Sequence, residues 1–153
     1  MEVLLTFTGF HDPFSKGLID QEEQPGPILS LLSVRKFDCV YLFDTPNTSE
    51  LTQETRKAIS RLYGDIQVEI IRTNLHDPTD YPAILKSLRD HVQTILETHE
   101  HASYYVAVAS GTPQMHACWL LLTSSGEIPA RILHVRPPRF VTKEHPLVRR
   151  LFP

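Results

Sequence analysis

Short apolar runs alternate with amphipathic segments along this chain, which predicts a regular succession of strands and helices. Apolar runs predict strands at residues 3–7, 40–43, 66–71, 104–109 and 128–135. Helical spacing predicts helices at residues 28–32, 50–62, 80–96 and 114–123. Strands and helices repeated in this order are typical of an α/β fold. We therefore predict a Rossmann-like, doubly wound, mostly parallel sheet of about five or six strands, with helices on both faces.

Two loops of this predicted sheet are candidates for ligand binding. Residues 104–109 are apolar throughout, as expected for a central strand covered on both faces, and we expect residues 3–7 to lie beside them. In open α/β sheets, ligands bind outside the carboxyl ends of the strands, where the strand order changes direction. The loops that follow these two strands, residues 8–14 and 110–115, are both rich in small polar residues.

The second loop has the features of a helix start. Thr112 is a plausible N-cap, Pro113 fits the first helical position, and Gly111 lets the backbone approach a ligand closely. Free N–H groups and the positive end of the helix dipole would suit a phosphate there. A helix start that is merely capped is the alternative. The segment of residues 11–27 is long and polar, and it is predicted to be a loop of functional length.

The composition is that of one globular domain. The chain has 153 residues, a formal net charge of −3 and 22% charged residues. We expect a single domain over residues 1–153, in which the basic tail of residues 136–153 is a linker or a dimer-docking segment. The charge argues against duplex DNA binding by this chain alone. Neither a signal peptide nor an apolar run of about 18 residues occurs, so we expect a cytoplasmic protein without a membrane partner.

The motifs of common cofactors are missing from the sequence. It has no Gly-x-Gly-x-x-Gly and no Gly-x-x-x-x-Gly-Lys-Ser/Thr, so we predict neither a nicotinamide cofactor nor bound ATP. The histidines lack metal-ligand spacing, and we predict no metal site. Cys39 and Cys118 are isolated in apolar contexts, which indicates reduced core thiols. His11 and Lys16 are either contacts to phosphates or bases, or solvated loop residues.

Three segments resemble one known family. The strand of residues 104–109 followed by Ser-Gly-Thr-Pro-Gln-Met resembles the signature of CRISPR-associated Rossmann-fold (CARF) domains. The opening Leu-Leu-Thr-Phe-Thr-Gly of residues 4–9 is similar to that family's first strand and ligand loop. Residues 26–32 resemble the first helix of CARF versions at the N-terminus of bacterial enhancer-binding transcription regulators, including the RNA-repair regulator type.

The resemblance implies a homodimer that binds a cyclic oligoadenylate, most often the four-adenosine ring, or a related RNA-derived ligand. A two-fold axis suits such a ligand because every contact is then made twice. The implied ligand-binding residues are Thr8, Gly9, Phe10, His11, Phe14, Ser110, Gly111, Thr112, Pro113, Gln114 and Met115. Of these, Phe10 or Phe14 would stack on adenine. Ser110, Thr112 and Gln114 would offer donors to phosphate and ribose, and Met115 would pack beneath the loop.

Three functions are consistent with these observations. The first is a sensor domain that controls an attached or partner effector, such as a transcription regulator or a nuclease in CRISPR type III defence. The second is a metal-independent ring nuclease, in which a ribose 2′-hydroxyl attacks the neighbouring phosphate and the catalytic candidates are Lys16, His11 and Ser110. The third is a Rossmann-type nucleotide-binding regulator outside CRISPR. Recovery of intact ligand after incubation would separate the first from the second.

Overall fold

The structure, a computed structural model, describes residues 1–16 and 23–151. The strands are β1 (Glu2–Phe7), β2 (Phe14–Lys16), β3 (Glu23–Pro25), β4 (Cys39–Asp44), β5 (Gln67–Arg72), β6 (Ser103–Val108), β7 (Ala130–Val135) and β8 (Val148–Arg150). The helices are α1 (Pro27–Val34), α2 (Ser49–Leu62), α3 (Tyr81–Thr98) and α4 (Pro113–Ser124), with a 3-10 turn at Pro138–Phe140. Every strand and helix predicted from the sequence is present, with its ends shifted by a few residues at most.

Six strands form the main sheet, in the order β5-β4-β1-β6-β7-β8. The five strands from β5 to β7 pair in parallel, whereas β8 lies antiparallel to β7 at the edge. β1 and β6 are neighbours in the centre, and the chain winds outward from them in both directions. The predicted doubly wound, mostly parallel sheet is therefore confirmed, and its switch in strand order lies where it was expected.

The core has two layers, one on each face of the sheet. α3 and α4 cover one face together with Val3, Leu5 and Phe7 of β1, and α1 and α2 cover the other face with Leu4. This alternation follows from the two-residue period of a strand. Trp119 of α4 is fully buried, and its ring centroid lies 5.8 Å from that of Phe7. Such aromatic packing fixes α4, and hence its amino terminus, relative to the end of β1.

The segment of residues 11–27 differs from the predicted loop. β2 and β3 form a short antiparallel ribbon, in which Phe14 lies opposite Pro25. The strands are too short to carry a hydrophobic period, which explains why the sequence pattern did not indicate them. Residues 17–22 of this segment lie outside the described residues.

The basic tail also contains an element that the pattern did not predict. Residues 148–150 form β8 and extend the main sheet by pairing with β7. The strand has three residues, two of them arginines, and charged residues are typical of short edge strands. At least this part of the tail is integrated into the fold.

Two smaller expectations concern the thiols and the membrane. Cys39 and Cys118 are both free and buried, which confirms the prediction of reduced core thiols. Burial is the main cause that raises the pKa of Cys39 to about 11, so its thiol stays protonated near neutral pH. In the described part of the chain, no helix is both long enough and apolar enough to cross a membrane.

Candidate functional site

A pocket of about 240 Å3 lies at the carboxyl edge of the sheet, above β1 and β6. We call it the central pocket. Backbone loops from several elements converge on it, because the carboxyl ends of parallel strands share one edge. The lining residues are Thr8, Gly9, Phe10, His11, Pro27, Thr45, Asn47, Thr48, Pro78, Ala109, Ser110, Gly111, Thr112 and Met115.

Most of the residues singled out in the sequence meet in this pocket. Both predicted loops contribute, through residues 8–11 and through residues 110–112 with Met115. Phe14 is not in the lining; it packs against the core on the α1 and α2 face. Pro113 and Gln114 begin α4 beside the pocket but do not line it. Lys16 ends β2, and its side chain lies outside what the structure describes.

The amino termini of three helices point to the central pocket. Pro27 is the first residue of α1, while Thr48 and Thr112 are the N-cap residues of α2 and α4. All three residues line the pocket. Because each helix has the positive end of its dipole at its amino terminus, the pocket favours a negatively charged group. His11 is the one ionisable side chain in the described lining, so an anion there would be stabilised by dipoles rather than by cations.

Two buried hydroxyl groups in the pocket lack a hydrogen-bond partner among the described residues. They are Oγ1 of Thr8 and Oγ of Ser110, whose residues are 2% and 5% exposed. An unsatisfied buried hydroxyl lowers the stability of the fold by about 1–3 kcal/mol. Native structures therefore contain few such groups, and each one calls for an explanation such as a role in binding. Both hydroxyls can donate to an incoming acceptor. The arrangement therefore suits a polar, anionic ligand that completes their hydrogen bonds.

Thr112 makes a structural contact beyond the N-cap role that the sequence predicted. Its Oγ1 donates to the carbonyl oxygen of Pro78 at 2.7 Å and accepts from the backbone N–H of Met115 at 3.2 Å. The second bond is the N-cap bond predicted for this residue. Since the hydroxyl is occupied on both sides, it holds α4 against the loop before α3. A ligand can therefore contact the surface that Thr112 exposes to the pocket, but its hydroxyl is already engaged.

Two glycines allow the predicted loops to touch. A Cβ atom on Gly9 would lie 2.9 Å from the backbone nitrogen of Gly111, which is closer than real Cβ atoms approach. Gly111 has a φ of +102°, and a Cβ atom there would lie 2.8 Å from Sδ of Met115. A side chain at Gly9 would therefore clash with backbone, and one at Gly111 would be strained by the backbone conformation and would displace Met115. As a result, the ends of β1 and β6 expose backbone rather than side chains to the pocket.

Asp12 anchors the first loop from below, and sequence reasoning missed it. Its Oδ2 accepts from the N–H of Gly9 at 2.9 Å, and its Oδ1 accepts from the N–H of Ile28 at 3.2 Å. The carboxylate thus caps α1, whose own N-cap residue, Gly26, has no side chain to do so. Burial raises the pKa of Asp12, and the opposing effects come from the Ser110 hydroxyl, these two N–H groups and the charge of His11. The Ser110 hydroxyl lies near the carboxyl group but outside hydrogen-bond geometry, so it stays without a hydrogen-bond partner among the described residues.

The loop after β4 supplies three lining residues that were not predicted. Thr45 and Thr48 hold each other, since Oγ1 of Thr48 accepts from the N–H of Thr45 at 3.0 Å. Asn47 lies between them in the lining. A signal was present, because this polar turn also follows an apolar strand and must lie at the same sheet edge. The sequence did not show that β4, which carries this turn, pairs directly with β1, because that depends on the strand order.

The candidate catalytic groups are only partly assembled. His11 is exposed at the pocket and Ser110 lies within it, whereas the position of the Lys16 ammonium group is not described. The described residues contain no group of three or more His, Cys, Asp and Glu side chains that could hold a metal ion. The geometry fits binding of an anionic ligand by dipoles and hydroxyls.

Comparison with known proteins identifies the family. Residues 20–149 match the family model of RtcR, described as "Regulator of RNA terminal phosphate cyclase". The transcriptional regulatory protein RtcR of Escherichia coli K12 is 26% identical over 109 residues, which cover 71% of this chain and 20% of that protein. The chain therefore spans about a fifth of the length of the curated relative that it matches.

Solved structures share the fold. Enterococcus italicus Csm6, bound to cyclic hexa-2′-fluoro-hexa-dAMP, has a TM-score of 0.77 at 22% identity, over 94% of this chain and 35% of Csm6. Can2 from Sulfobacillus thermosulfidooxidans, in complex with cyclic tetra-adenylate, has a TM-score of 0.60 at 15% identity, over 89% of this chain and 32% of Can2. A type III CRISPR defence DNA nuclease activated by cyclic oligoadenylate has a TM-score of 0.55 at 19% identity, over 87% and 18% of the two chains. The resemblance to CARF domains is thereby confirmed, and the chain belongs to the RtcR family of regulators.

Proposed function

We propose that this chain is a dimeric sensor domain that binds a cyclic oligoadenylate, with cyclic tetra-adenylate as the first ligand to test, in the central pocket. The observation that carries the proposal is the pair of buried, unpartnered hydroxyls of Thr8 and Ser110 at the meeting point of three helix amino termini. Phosphate oxygens would accept from these hydroxyls, and the helix dipoles would stabilise the negative charge.

The dimer follows from the symmetry of the ligand. A ring of identical nucleotides presents the same contacts to two identical chains if it lies on their two-fold axis. Phe10 lines the pocket and is 71% exposed, so its ring is accessible to stack on an adenine of such a ligand. Support for this ligand class comes from the folds of Csm6 and Can2, which were solved with cyclic adenylate ligands.

The signal would be passed to an effector. Binding would shift the relative positions of the two chains or of the pocket loops, and an attached or partner effector would respond to that shift. The matched relative is a transcriptional regulatory protein, which favours a transcription regulator as the effector over a nuclease of CRISPR type III defence. The family description also names an enzyme of RNA terminal phosphates, so a linear RNA end is the second ligand to test.

Ring cleavage is the second candidate activity. The observation that favours it is the position of His11 and Ser110 in the same pocket, where both could contact a ribose or a phosphate. In that case a ribose 2′-hydroxyl would attack the adjacent phosphate, breaking the bond to the next 5′ oxygen and leaving a 2′,3′-cyclic phosphate. His11 would be suited to proton transfer. Lys16 stays a candidate by sequence alone.

The test is a calorimetric titration of the chain with cyclic tetra-adenylate, with chromatography of the recovered ligand. Sedimentation at the same concentrations measures the oligomeric state. We expect one ring per two chains and intact ligand. A linear product would instead establish the ring nuclease. Tight binding of linear tetra-adenylate with a 3′-phosphate, and none of the ring, would replace the ligand by an RNA end. No binding of either would refute the proposed function.

A further inference from the structure

A group of four basic side chains lies on the β7 side of the central pocket, outside its lining. It consists of His116, His134, Arg136 and Arg149, and we call it the basic cluster. Nε2 of His116 lies 3.0 Å from the carbonyl oxygen of Ser110, so α4 connects the basic cluster to the pocket turn. His134 of β7 stands directly opposite Arg149 of β8, which places both side chains on one face of the sheet.

The positive charges of the basic cluster are not neutralised within the described structure. Burial, and then the charges of Arg136 and His116, lower the pKa of His134. Nε of Arg136 is buried without a hydrogen-bond partner among the described residues. The salt bridges of the described chain lie elsewhere, at Lys86–Asp90 and Arg89–Glu127. The lowered pKa favours the neutral form of His134, so the uncompensated positive charges of the basic cluster are mainly those of Arg136 and Arg149.

The basic cluster supplies what the central pocket lacks. The pocket has dipoles and hydroxyls but no lysine or arginine in its described lining. Arg136 follows the end of β7, and β7 is the immediate neighbour of β6, whose end carries Ser110. A ligand that leaves the pocket over the turn of Ser110 and Gly111 would therefore reach the basic cluster. Guanidinium groups bind phosphate through two parallel hydrogen bonds, which makes arginine well suited to such a position.

We propose that the basic cluster is a second phosphate subsite, which binds a phosphate group of the oligonucleotide that occupies the central pocket. The inference rests on the proposed function for the nature of the ligand. His116 would join the two subsites, since it contacts the pocket turn and faces the cluster. A ligand with phosphates in both places would be held more tightly than one confined to the pocket.

The first experiment uses inorganic phosphate as the probe and does not depend on the oligonucleotide. Imidazole resonances of His116 and His134 are followed by NMR across pH, with and without phosphate. A bound anion favours the imidazolium form, so phosphate should raise the pKa of His134. The double variant R136Q/R149Q should lose this response. The control R56Q removes an exposed arginine of α2 with the same change of charge and should keep it.

The second experiment measures the affinity for cyclic tetra-adenylate at several salt concentrations. R136Q and R149Q, tested singly and checked by thermal melting, should bind about tenfold more weakly than R56Q, with a salt slope reduced by about one. Arg149 is exposed, so R149Q remains informative even if R136Q fails to fold. Equal affinities and slopes in all variants would overturn the second subsite, as would the absence of any phosphate response in the wild type. A phosphate response without oligoadenylate binding would refute the proposed function while upholding the anion site.

Discussion

At the scale of single residues, Asp12 fixes the conformation of the first pocket loop through its carboxyl group. It satisfies the N–H groups of Gly9 and Ile28, which come from the loop and from the first turn of α1. The loop and the helix are thus joined beneath the pocket. The two N–H groups hold the buried carboxyl group in one position and favour its charged form. Removal of the group from water disfavours that charged form.

The raised pKa of Asp12 makes stability depend on pH. In the unfolded chain the group titrates near its ordinary value of 3.8, whereas burial raises the pKa in the folded chain. The folded chain therefore binds the proton more tightly, and its stability falls as pH rises from 3.8 through the folded pKa. We expect D12N to lack this contribution. Urea unfolding from about pH 3.5 to about pH 8 measures it, because the wild type should lose stability relative to D12N as pH rises. A constant difference across that range would contradict the account.

The exposed ring of Phe10 should matter for ligand binding and not for folding. Stacking on a base is worth about 1–3 kcal/mol, so F10A should weaken binding of cyclic tetra-adenylate by about 5- to 150-fold. Thermal melting should show little change, because Phe10 is 71% exposed. F140A removes another largely exposed phenylalanine, from the 3-10 turn, and is the matched control. Equal affinities of the two variants would exclude Phe10 from the site.

At the scale of elements, the turn between β6 and α4 combines two constraints on one short segment. Thr112 caps the helix and bonds Pro78, while Gly111 takes a backbone conformation that side chains disfavour. Met115 closes the turn from below, since its Sδ accepts from the N–H of Thr112 at 3.4 Å. The free backbone surface of this turn is what faces the pocket.

Substitution of Gly111 should separate strain from steric contact. G126A also places alanine at a positive φ, of +84°, but nothing lies within 4 Å of the new Cβ. We expect G126A to cost about 1 kcal/mol of unfolding free energy and to leave ligand binding unchanged. G111A should cost about 1–2 kcal/mol more, because its Cβ meets buried Met115, and it should weaken binding. Chemical denaturation and calorimetry of both variants provide the test; equal costs would show that the turn relaxes freely.

At the scale of the whole molecule, the order of elements and the central position of β1 and β6 follow from the sequence pattern. Apolar strands separated by helices leave few topologies once crossovers are right-handed. Two pocket loops were therefore predictable, at residues 8–11 and 110–112. Their chemistry was less so, because the free hydroxyls of Thr8 and Ser110 and the occupied one of Thr112 depend on tertiary neighbours.

The parts that sequence reasoning missed depend on contacts between distant segments. Asp12 acts through Ile28, and Thr45 reaches the pocket only because β4 lies next to β1. Phe14, which was predicted to contact the ligand, lies outside the pocket lining and packs against the core on the α1 and α2 face. Three-residue strands such as β8 carry no period of their own and become strands through the partner that they pair with.

The central claim is that the molecule keeps two buried hydroxyls unsatisfied for a ligand. The most direct test is the double variant T8V/S110A, titrated with cyclic tetra-adenylate and unfolded in urea in parallel. Removing unpartnered buried hydroxyls should leave stability unchanged or higher, while the loss of two hydrogen bonds to phosphate should weaken binding by about 10- to 100-fold. T55V, which removes a buried hydroxyl bonded to the carbonyl oxygen of Leu51 at 2.7 Å, should do the reverse, lowering stability with binding intact. Unchanged affinity in T8V/S110A, or a loss of stability like that of T55V, would contradict the account.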